Sequence, residues 1–154
     1  MKNNRKKVMI LTNHSYMLYR FRKELIEELM KNYDVVLSMP FVGHHEDFIN
    51  MGLRCIETKM ERRGVNPIHD FSLMKFYKKI LQEENSDLVI TYSIKPNVYG
   101  GLMCEKLNIP FYANVQGLGT AFQKPGLAQF ATVLYKTKRL YHNSDSSYRQ
   151  EPTH

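Results

Sequence analysis

The stretch VMILT, Val8–Thr12, decides the fold. Four apolar residues follow one another without a polar residue between them, and a threonine ends the run. A strand with one face in water alternates apolar and polar side chains, whereas a strand of a parallel sheet is apolar on both faces because helices cover both. The stretch therefore predicts a strand that is buried on both faces.

Similar strands recur along the chain, and amphipathic segments separate them. The predicted strands after the first are Asp34–Met39, Leu53–Glu57, Asp87–Thr91 and Ile109–Asn114. The predicted helices are Tyr16–Lys31, Gly43–Met51, Phe71–Glu84, Lys95–Leu107 and Leu127–Lys136. Alternating strands and helices indicate right-handed βαβ units. The predicted fold class is therefore α/β, a doubly wound, Rossmann-like parallel sheet with the strand order 3-2-1-4-5.

Three local features make these helix predictions specific. In the first helix, apolar side chains at helical spacing predict the buried face: Leu18, Phe21, Leu25, Leu29 and Met30. Asp70 is the predicted N-cap of the third helix. Gly100 and Gly101 lie inside the fourth helix, where glycine is unfavourable, so we expect that helix to pack closely on the sheet.

Composition divides the chain and excludes several classes of protein. We predict one domain over residues 1–136 and a disordered or out-of-frame tail over residues 137–154, because the last segment is polar and lacks periodicity. The net charge of +7 is concentrated at the two ends of the chain, so we expect no nucleic-acid binding. No apolar run approaches the length of a membrane span or a signal peptide. Cys55 and Cys104 are interpreted as buried, reduced thiols of a cytoplasmic protein.

Ligands of doubly wound sheets bind beyond the carboxyl ends of the strands. This rule selects the segments Asn13–Tyr16, Pro40–His45, Lys59–Asn66, Tyr92–Asn97 and Val115–Phe122. In the last of them, Gly117 and Gly119 permit close approach of a ligand to the backbone, and a plain strand-to-helix turn is the alternative. The glycines do not form a dinucleotide-binding fingerprint or a P-loop.

Charged and polar side chains in these segments are candidate ligand contacts. Lys95 precedes a helix N-terminus, where an anionic ligand would offset its charge, and an exposed lysine is the alternative. Arg62 and Arg63 lie in a predicted loop and have the paired donors that bind phosphate, and a solvated surface loop is the alternative. The predicted binding residues are Asn13, Ser15, Arg62, Arg63, Asn66, Tyr92, Lys95, Asn97, Gln116, Gly117, Gly119 and Thr120.

His14 is the one catalytic candidate, as a general base or a hydroxyl-binding group. A structural role is the alternative, because no carboxylate lies near it in sequence. The sequence contains no HExxH, CxxC or DxD motif, so no metal site is expected.

Four strings in this order resemble the N-terminal domain of bacterial family-four glycosyltransferases: FR in the first helix, RRGVNPIHD (62–70), TYSIKPNVYGG (91–101) and NVQGLGTAF (114–122). The most similar type makes capsule, exopolysaccharide or O-antigen. The resemblance covers about Lys7–Tyr135. One departure is Gln116, where the usual family pattern has threonine.

The resemblance implies one half of a GT-B fold, in which two Rossmann-like domains face each other across a cleft. The N-terminal domain of such enzymes binds the acceptor, commonly a sugar on a polyprenyl diphosphate at the inner membrane face. The missing C-terminal domain holds most of the nucleotide-sugar donor, and the reaction retains anomeric configuration without a metal or other cofactor. An anionic acceptor would then contact Lys95, Arg62 and Arg63, and the glycines of NVQGLGTAF would face the cleft.

Whole enzymes of this type are more than twice as long, so the resemblance implies a truncated chain that is inactive alone. Two alternatives stay open. One is a split glycosyltransferase, in which a separate chain supplies the donor domain. The other is a non-catalytic Rossmann-like module that binds a nucleotide or a lipid-linked sugar.

A membrane contact is also expected. Lys75, Lys78 and Lys79 lie on one side of the third predicted helix, beside Phe76, and the N-terminus adds further cations. These charges predict weak, salt-sensitive attraction to anionic lipid, with an ordinary solvated helix face as the alternative.

Overall fold

The structure is a computed structural model that describes residues 5–61, 64 and 66–115. Its strands are β1 (Lys7–Leu11), β2 (Asp34–Met39), β3 (Arg54–Glu57), β4 (Leu88–Tyr92) and β5 (Phe111–Asn114). Its α-helices are α1 (Ser15–Asn32), α2 (His45–Asn50), α3 (Pro67–Glu84) and α4 (Gly101–Leu107), and a π-helical turn, Pro96–Gly100, leads into α4. The predicted helix Leu127–Lys136, the predicted tail and the boundary between residues 136 and 137 lie outside the described residues.

The five strands form one parallel sheet in the order β3-β2-β1-β4-β5, which confirms the predicted fold class and strand order. Strand β1 lies at the centre, where Val8 pairs with Val35 on one side and with Leu88 on the other. Residues Val8–Leu11 are at most 1% exposed. Because both faces of this strand are buried, the unbroken apolar run was a correct signal of a parallel sheet.

Helix α1 faces the sheet with only part of the predicted apolar set: Leu18 is buried and Leu29 and Met30 pack against the core, as predicted. Leu18 and Ile26 are buried, whereas Phe21 and Leu25 are 50% and 43% exposed. The helix carries two adjacent apolar stripes, and the sheet covers the stripe of residues four apart that includes Leu18 and Ile26. The prediction that Phe21 and Leu25 face the core was therefore wrong.

Helix α3 begins four residues earlier than predicted. The side chain of Asn66 accepts hydrogen bonds from the backbone N–H groups of Ile68 and His69, and Pro67 occupies the first turn. Proline is favoured there because the first amides of a helix have no intrahelical partner. The prediction that Asp70 caps this helix was wrong, because Asp70 lies inside the first turn and is 4% exposed.

The two glycines at the start of α4 pack against the sheet, as predicted. A Cβ atom on Gly100 would lie 2.7 Å from Cδ1 of Leu11, and one on Gly101 would lie 2.9 Å from the ring of Phe111. Both glycines have ordinary right-handed helical dihedrals. Glycine is therefore required at these positions for space and not for backbone conformation.

Ion pairs connect the amino ends of β1 and β3 to the end of α3. Glu84 accepts hydrogen bonds from Lys7 Nζ at 3.0 Å and from Arg54 Nε at 2.9 Å. Burial of this carboxyl opposes its ionisation, but the hydrogen bonds and positive charges of Lys7 and Arg54 outweigh burial and lower its pKa. The network stabilises the sheet edge opposite to the one at which ligands bind.

Both cysteines are free thiols. Cys104 is buried as predicted, and burial raises its pKa to about 12. Cys55 is only partly buried, which corrects the prediction for that residue, and burial raises its pKa to about 11. Within the part of the chain that the structure describes, no helix is long and apolar enough to cross a bilayer.

Candidate functional site

The segments that follow β1 and β2 meet at the carboxyl edge of the sheet. The hydroxyl of Ser15 donates a hydrogen bond to the carbonyl of Val42 and accepts one at 3.0 Å from the backbone N–H of His44. Gly43, between these two partners, has a φ of +78°, and a Cβ atom there would lie 3.0 Å from the Ser15 hydroxyl. Ser15, a predicted binding residue, is 1% exposed. Its hydroxyl connects the loops after β1 and β2, so in this structure it positions these loops.

His14 forms the N-cap of α1. Its Nδ1 accepts a hydrogen bond from the backbone N–H of Tyr16 at 3.0 Å, so the neutral ring carries its proton on Nε2. In this tautomer the basic lone pair of Nδ1 is engaged in the cap. The cap gives His14 the structural role that was the alternative, and its catalytic or hydroxyl-binding role stays a prediction. Asn13, the adjoining predicted residue, is partly buried between β1 and α1.

Aromatic rings surround the same loops. The ring of His44 stacks on Tyr19 with a centroid separation of 4.4 Å and is tilted against Tyr16 at 5.6 Å. Nδ1 of His44 lies 2.6 Å from a carboxylate oxygen of Asp47. The sequence placed His44 only within the selected segment Pro40–His45, since its stacking partners lie 25 and 28 positions earlier in the chain.

The end of β4 has an unusual backbone. Ser93 has a φ of +77°, in the left-handed region that non-glycine residues seldom occupy. The π-helical turn follows, and it turns the side chain of Asn97 into the sheet, where Thr91 donates to its Oδ1 at 2.6 Å. The Asn97 amide in turn donates to the carbonyl of Asn114 at 3.1 Å. Asn97 is 3% exposed, so this predicted binding residue fixes the ends of two neighbouring strands.

Lys95 belongs to an internal ion pair. Its Nζ lies 2.8 Å from Oδ1 of Asp70, and the hydroxyl of Tyr99 donates to Oδ2 of the same carboxylate at 3.0 Å. The side chains of Lys95 and Asp70 are 12% and 6% exposed, so the alternative of an exposed lysine is wrong. Burial, with the nearby Asp70 carboxylate, raises the pKa of Tyr99 to about 12. The Asp70 carboxylate thus offsets most of the positive charge of Lys95, which was expected to contact an anionic ligand.

A cavity of about 360 Å³ opens beside this ion pair. The loop after β3 and the first turns of α3 form its walls, and Lys95 and Asp70 lie at one side. Lys59 contributes a further positive charge, and His69 pairs with Glu61 through Nδ1 and Oε1 at 2.7 Å. The cavity therefore combines cationic and hydrogen-bonding groups at the edge where ligands of such sheets bind.

Tyr92, the last residue of β4, is 3% exposed. The guanidinium carbon of Arg22 lies 5.9 Å from the centre of its ring. Burial raises the pKa of Tyr92, although the positive charge of Arg22 acts in the opposite direction. Arg22 was absent from the predicted site. It lies four residues from both Leu18 and Ile26, and this spacing could have placed it on the sheet-facing side of α1.

The expected convergence of the loops is confirmed for the described segments. The loops after β1, β2 and β4 and the described part of the loop after β3 follow parallel strands of one sheet, at the same edge. Asn66 caps α3, next to the cavity. The predicted residues Arg62, Arg63, Gln116, Gly117, Gly119 and Thr120 lie outside the described residues, and their roles stay predictions. The described part holds no group of three or more histidine, cysteine, aspartate or glutamate residues that could bind a metal.

Comparison with curated proteins identifies a glycosyltransferase as a relative. The chain is 25% identical over 122 residues to N,N'-diacetylbacillosaminyl-diphospho-undecaprenol alpha-1,3-N-acetylgalactosaminyltransferase of Campylobacter jejuni. The match includes 78% of this chain and 32% of the relative, so the chain spans about a third of the length of that protein. No family model matches the chain.

Solved structures share the fold. MurG of Acinetobacter baumannii superposes with a TM-score of 0.55 at 15% identity, over 81% of this chain and 39% of MurG. A glycosyltransferase of Rickettsia africae gives 0.60 at 17% identity, over 77% and 32% of the two chains. UDP-GlcNAc 2-epimerase of Methanocaldococcus jannaschii gives 0.59 at 15% identity, over 86% and 37%. The fold is thus the Rossmann-like half that GT-B glycosyltransferases contain, and the resemblance to GT-B enzymes of lipid-linked glycan synthesis is confirmed.

Proposed function

We propose that this chain is the acceptor-binding half of a retaining glycosyltransferase. The enzyme would transfer a sugar from a nucleotide sugar to a lipid-linked glycan in surface polysaccharide biosynthesis. The observation that carries the proposal is the similarity to the Campylobacter transferase, whose name describes an undecaprenol-diphosphate acceptor. The carboxyl edge of the sheet, with its cavity and its buried Lys95, supports it.

The described side chains fit an acceptor that has both hydroxyl groups and a diphosphate. His14 lies at the start of α1 on this edge of the sheet, and its predicted role is to contact a sugar hydroxyl group. Lys59 and Lys95 lie at the cavity, where a diphosphate would find positive charge that Asp70 offsets in part. Arg62 and Arg63 would add paired donors from the same loop, as their sequence position suggests.

Binding of the acceptor tests the proposal directly. The purified chain is titrated with a short-chain prenyl-diphosphate N-acetylhexosamine and, separately, with UDP-N-acetylgalactosamine, while backbone amide NMR signals are followed. We expect tighter binding of the prenyl-linked sugar, with the largest shifts at His14 and at the cavity. Lys95→Ala should weaken that binding, whereas Lys79→Ala, a variant on the exposed face of α3, should not. Equal binding of both compounds, or no binding of the prenyl-linked sugar, would contradict the acceptor role.

The chain alone should not catalyse transfer. Holding donor and acceptor in reacting geometry contributes about 7–11 kcal/mol to catalysis, and one half of a two-domain cleft cannot supply it. We therefore expect no sugar transfer from any nucleotide sugar in a radiolabel assay. Turnover by the chain above that of its Lys95→Ala variant would refute this part of the proposal.

We also propose weak contact with an anionic membrane through the outer face of α3. Ile68 and Phe71 at its first turns are 77% and 54% exposed, and Lys75 lies 4.8 Å from the ring of Phe71. An apolar tip beside lysines suits an interface in which apolar side chains enter the headgroup region and cations meet anionic lipid. Phe71, and not Phe76, is thus the exposed aromatic residue of this face.

Co-sedimentation with vesicles at low and high salt tests the membrane contact. We expect binding to vesicles that contain phosphatidylglycerol, loss of binding at high salt, and none to pure phosphatidylcholine. Phe71→Ser should weaken binding, while Phe21→Ser, which changes an equally exposed phenylalanine on α1, should not. Equal sedimentation with neutral and anionic lipid would remove the membrane contact and leave the acceptor role untouched.

A further inference from the structure

Arg22 is a charged residue on the sheet-facing side of α1. Leu18, Arg22 and Ile26 are spaced four residues apart, so they lie on one face of the helix, and the two apolar members are 2% and 0% exposed. Arg22 itself is partly buried. Charged side chains seldom occupy such positions unless another group compensates their charge.

The described residues provide Arg22 with no counter-charge. Its Nη1 donates to the carbonyl of Phe21 at 2.9 Å, and its guanidinium carbon lies 5.9 Å from the ring centre of Tyr92. No carboxylate oxygen of the described residues lies within 4.0 Å of it. By contrast, Lys7 and Lys95, which are also partly buried, each contact a nearly buried carboxylate.

The sequence leaves few internal candidates for that counter-charge. Of the 15 acidic residues in the chain, only Asp145 and Glu151 lie outside the described residues. Tyr92 and Asn114 pair as the last residues of their strands, so Arg22 is placed near the carboxyl edge of the sheet. An external anion that binds at this edge could compensate the charge of Arg22.

We propose that Arg22 binds a phosphate group of a diphosphate ligand, next to Tyr92 at the carboxyl edge of the sheet. A guanidinium has five donors in a planar fork, and pairs of them match two phosphate oxygens. The Phe21 carbonyl and the Tyr92 side chain engage part of the guanidinium, and its remaining N–H groups could donate to an anion. The diphosphate belongs either to a nucleotide or to a lipid carrier, two sources that share this chemistry.

The proposal deepens the acceptor role and rests on it for the natural ligand, but its first test does not. The chain is labelled with ¹⁵N, and the Nε–Hε signal of Arg22 is followed during titration with inorganic pyrophosphate, then with UDP and with farnesyl diphosphate. Arg22→Gln removes the charge, and Arg22→Lys retains it without the planar fork. Arg20→Gln is the matched control, since Arg20 lies on the same helix but is exposed and contacts the hydroxyl of Tyr16.

We expect Arg22→Gln to weaken pyrophosphate binding by about tenfold to a hundredfold, the range for a charge-assisted hydrogen bond. Arg22→Lys should give a smaller loss, and Arg20→Gln little change. The urea midpoint of Arg22→Gln should equal or exceed that of the wild type, because the substitution removes a partly buried charge without a carboxylate partner. A purely structural role for Arg22 would instead lower the midpoint and leave pyrophosphate binding unchanged.

The other outcomes are equally decisive. Unchanged pyrophosphate affinity in Arg22→Gln, or an equal loss in Arg20→Gln, would overturn the proposal. A shift of the Arg22 signal in the ligand-free double variant Asp145→Asn/Glu151→Gln would also overturn it, since the counter-charge would then be internal. Tighter binding of UDP or of farnesyl diphosphate than of pyrophosphate supports the site and identifies its source. Preference for UDP would retain this site while contradicting the acceptor role.

Discussion

Replacing Asp70 with asparagine tests the internal ion pair most sharply. Nζ of Lys95 lies 2.8 Å from the Asp70 carboxylate, and the two side chains are 12% and 6% exposed. Removing one member of a buried pair typically costs about 3–5 kcal/mol, because the other charge stays buried without compensation. Asparagine keeps an oxygen that can accept from Tyr99, and Lys95 retains some contact with water. We therefore expect the Asp70→Asn variant to lose about 2–4 kcal/mol of unfolding free energy.

A double-mutant cycle separates the pair from its surroundings. Urea unfolding, followed by far-UV circular dichroism, is measured for Asp70→Asn, for Lys95→Met and for the double variant. The double variant should lose about 1–3 kcal/mol less than the sum of the single losses, because neither charge is left alone. Lys79 and Glu83, 3.8 Å apart and more than 60% exposed, are the control pair, whose coupling should be about 0.5 kcal/mol or less.

Losses that add within about 0.5 kcal/mol would refute the reasoning, since contacting charges that share a buried site cannot be independent. Such a result would mean that water, and not Asp70, compensates the charge of Lys95. The phosphate-binding role of Lys95 would then gain support, because its charge would be fully available to a ligand.

Three further predictions concern stability. Gly100→Ala should lower the unfolding free energy by about 1–2 kcal/mol in urea denaturation, because the clash with Leu11 exceeds the gain of about 1 kcal/mol in helix propensity, and an unchanged midpoint would contradict this. The pKa of Glu84 is lowered in the folded protein, so its contribution is present above the ordinary glutamate pKa of about 4.3 and is lost as the pH falls through the folded value. As the pH decreases from 7 to 3, the urea midpoint should therefore fall less steeply in Glu84→Gln than in the wild type. Parallel curves would argue against a stabilising network of Glu84 with Lys7 and Arg54. The pKa of Tyr99 is raised to about 12, so stability should fall as the pH rises from about 10 to 12, and Tyr99→Phe should reduce that slope in the same measurement.

The sheet could be predicted from sequence because its signal is local. Unbroken apolar runs mark strands that are buried on both faces, and the helices between them dictate parallel pairing. The bounds of β2 were predicted to the residue, and every other strand end lies within two positions of its prediction. The start of α3 was predicted wrongly because Asn66 and Asp70 are both good N-caps by residue type, and the choice between them depends on Lys95 and Tyr99, which lie 25 and 29 positions further along.

The candidate site was harder to predict from sequence, because its contacts join residues that lie far apart in the chain. Lys95 was recognised by its position at a strand end, but its ion pair with Asp70 joins two different βα units and has no local trace. The role of Ser15 as a link between two loops depends on the left-handed backbone of Gly43. Arg22 interrupts an apolar stripe, which is visible in the sequence, but its proximity to Tyr92 is a property of the folded sheet.

The central position of β1 has a consequence for how the chain folds during synthesis. The partner strand β2 follows β1 closely along the chain, but the other edge of β1 has no partner until β4 is made, whose Leu88 pairs with Val8 some 80 positions later. At a translation rate of about 5–20 residues per second, that edge stays open for several seconds. During this interval the nascent polypeptide exposes a row of unpaired backbone groups beside a strongly apolar strand, which is the feature that recruits chaperones or seeds aggregation. Ribosome-bound chains that stop before Asp87 should therefore be held by chaperones, and release should follow once β4 has emerged.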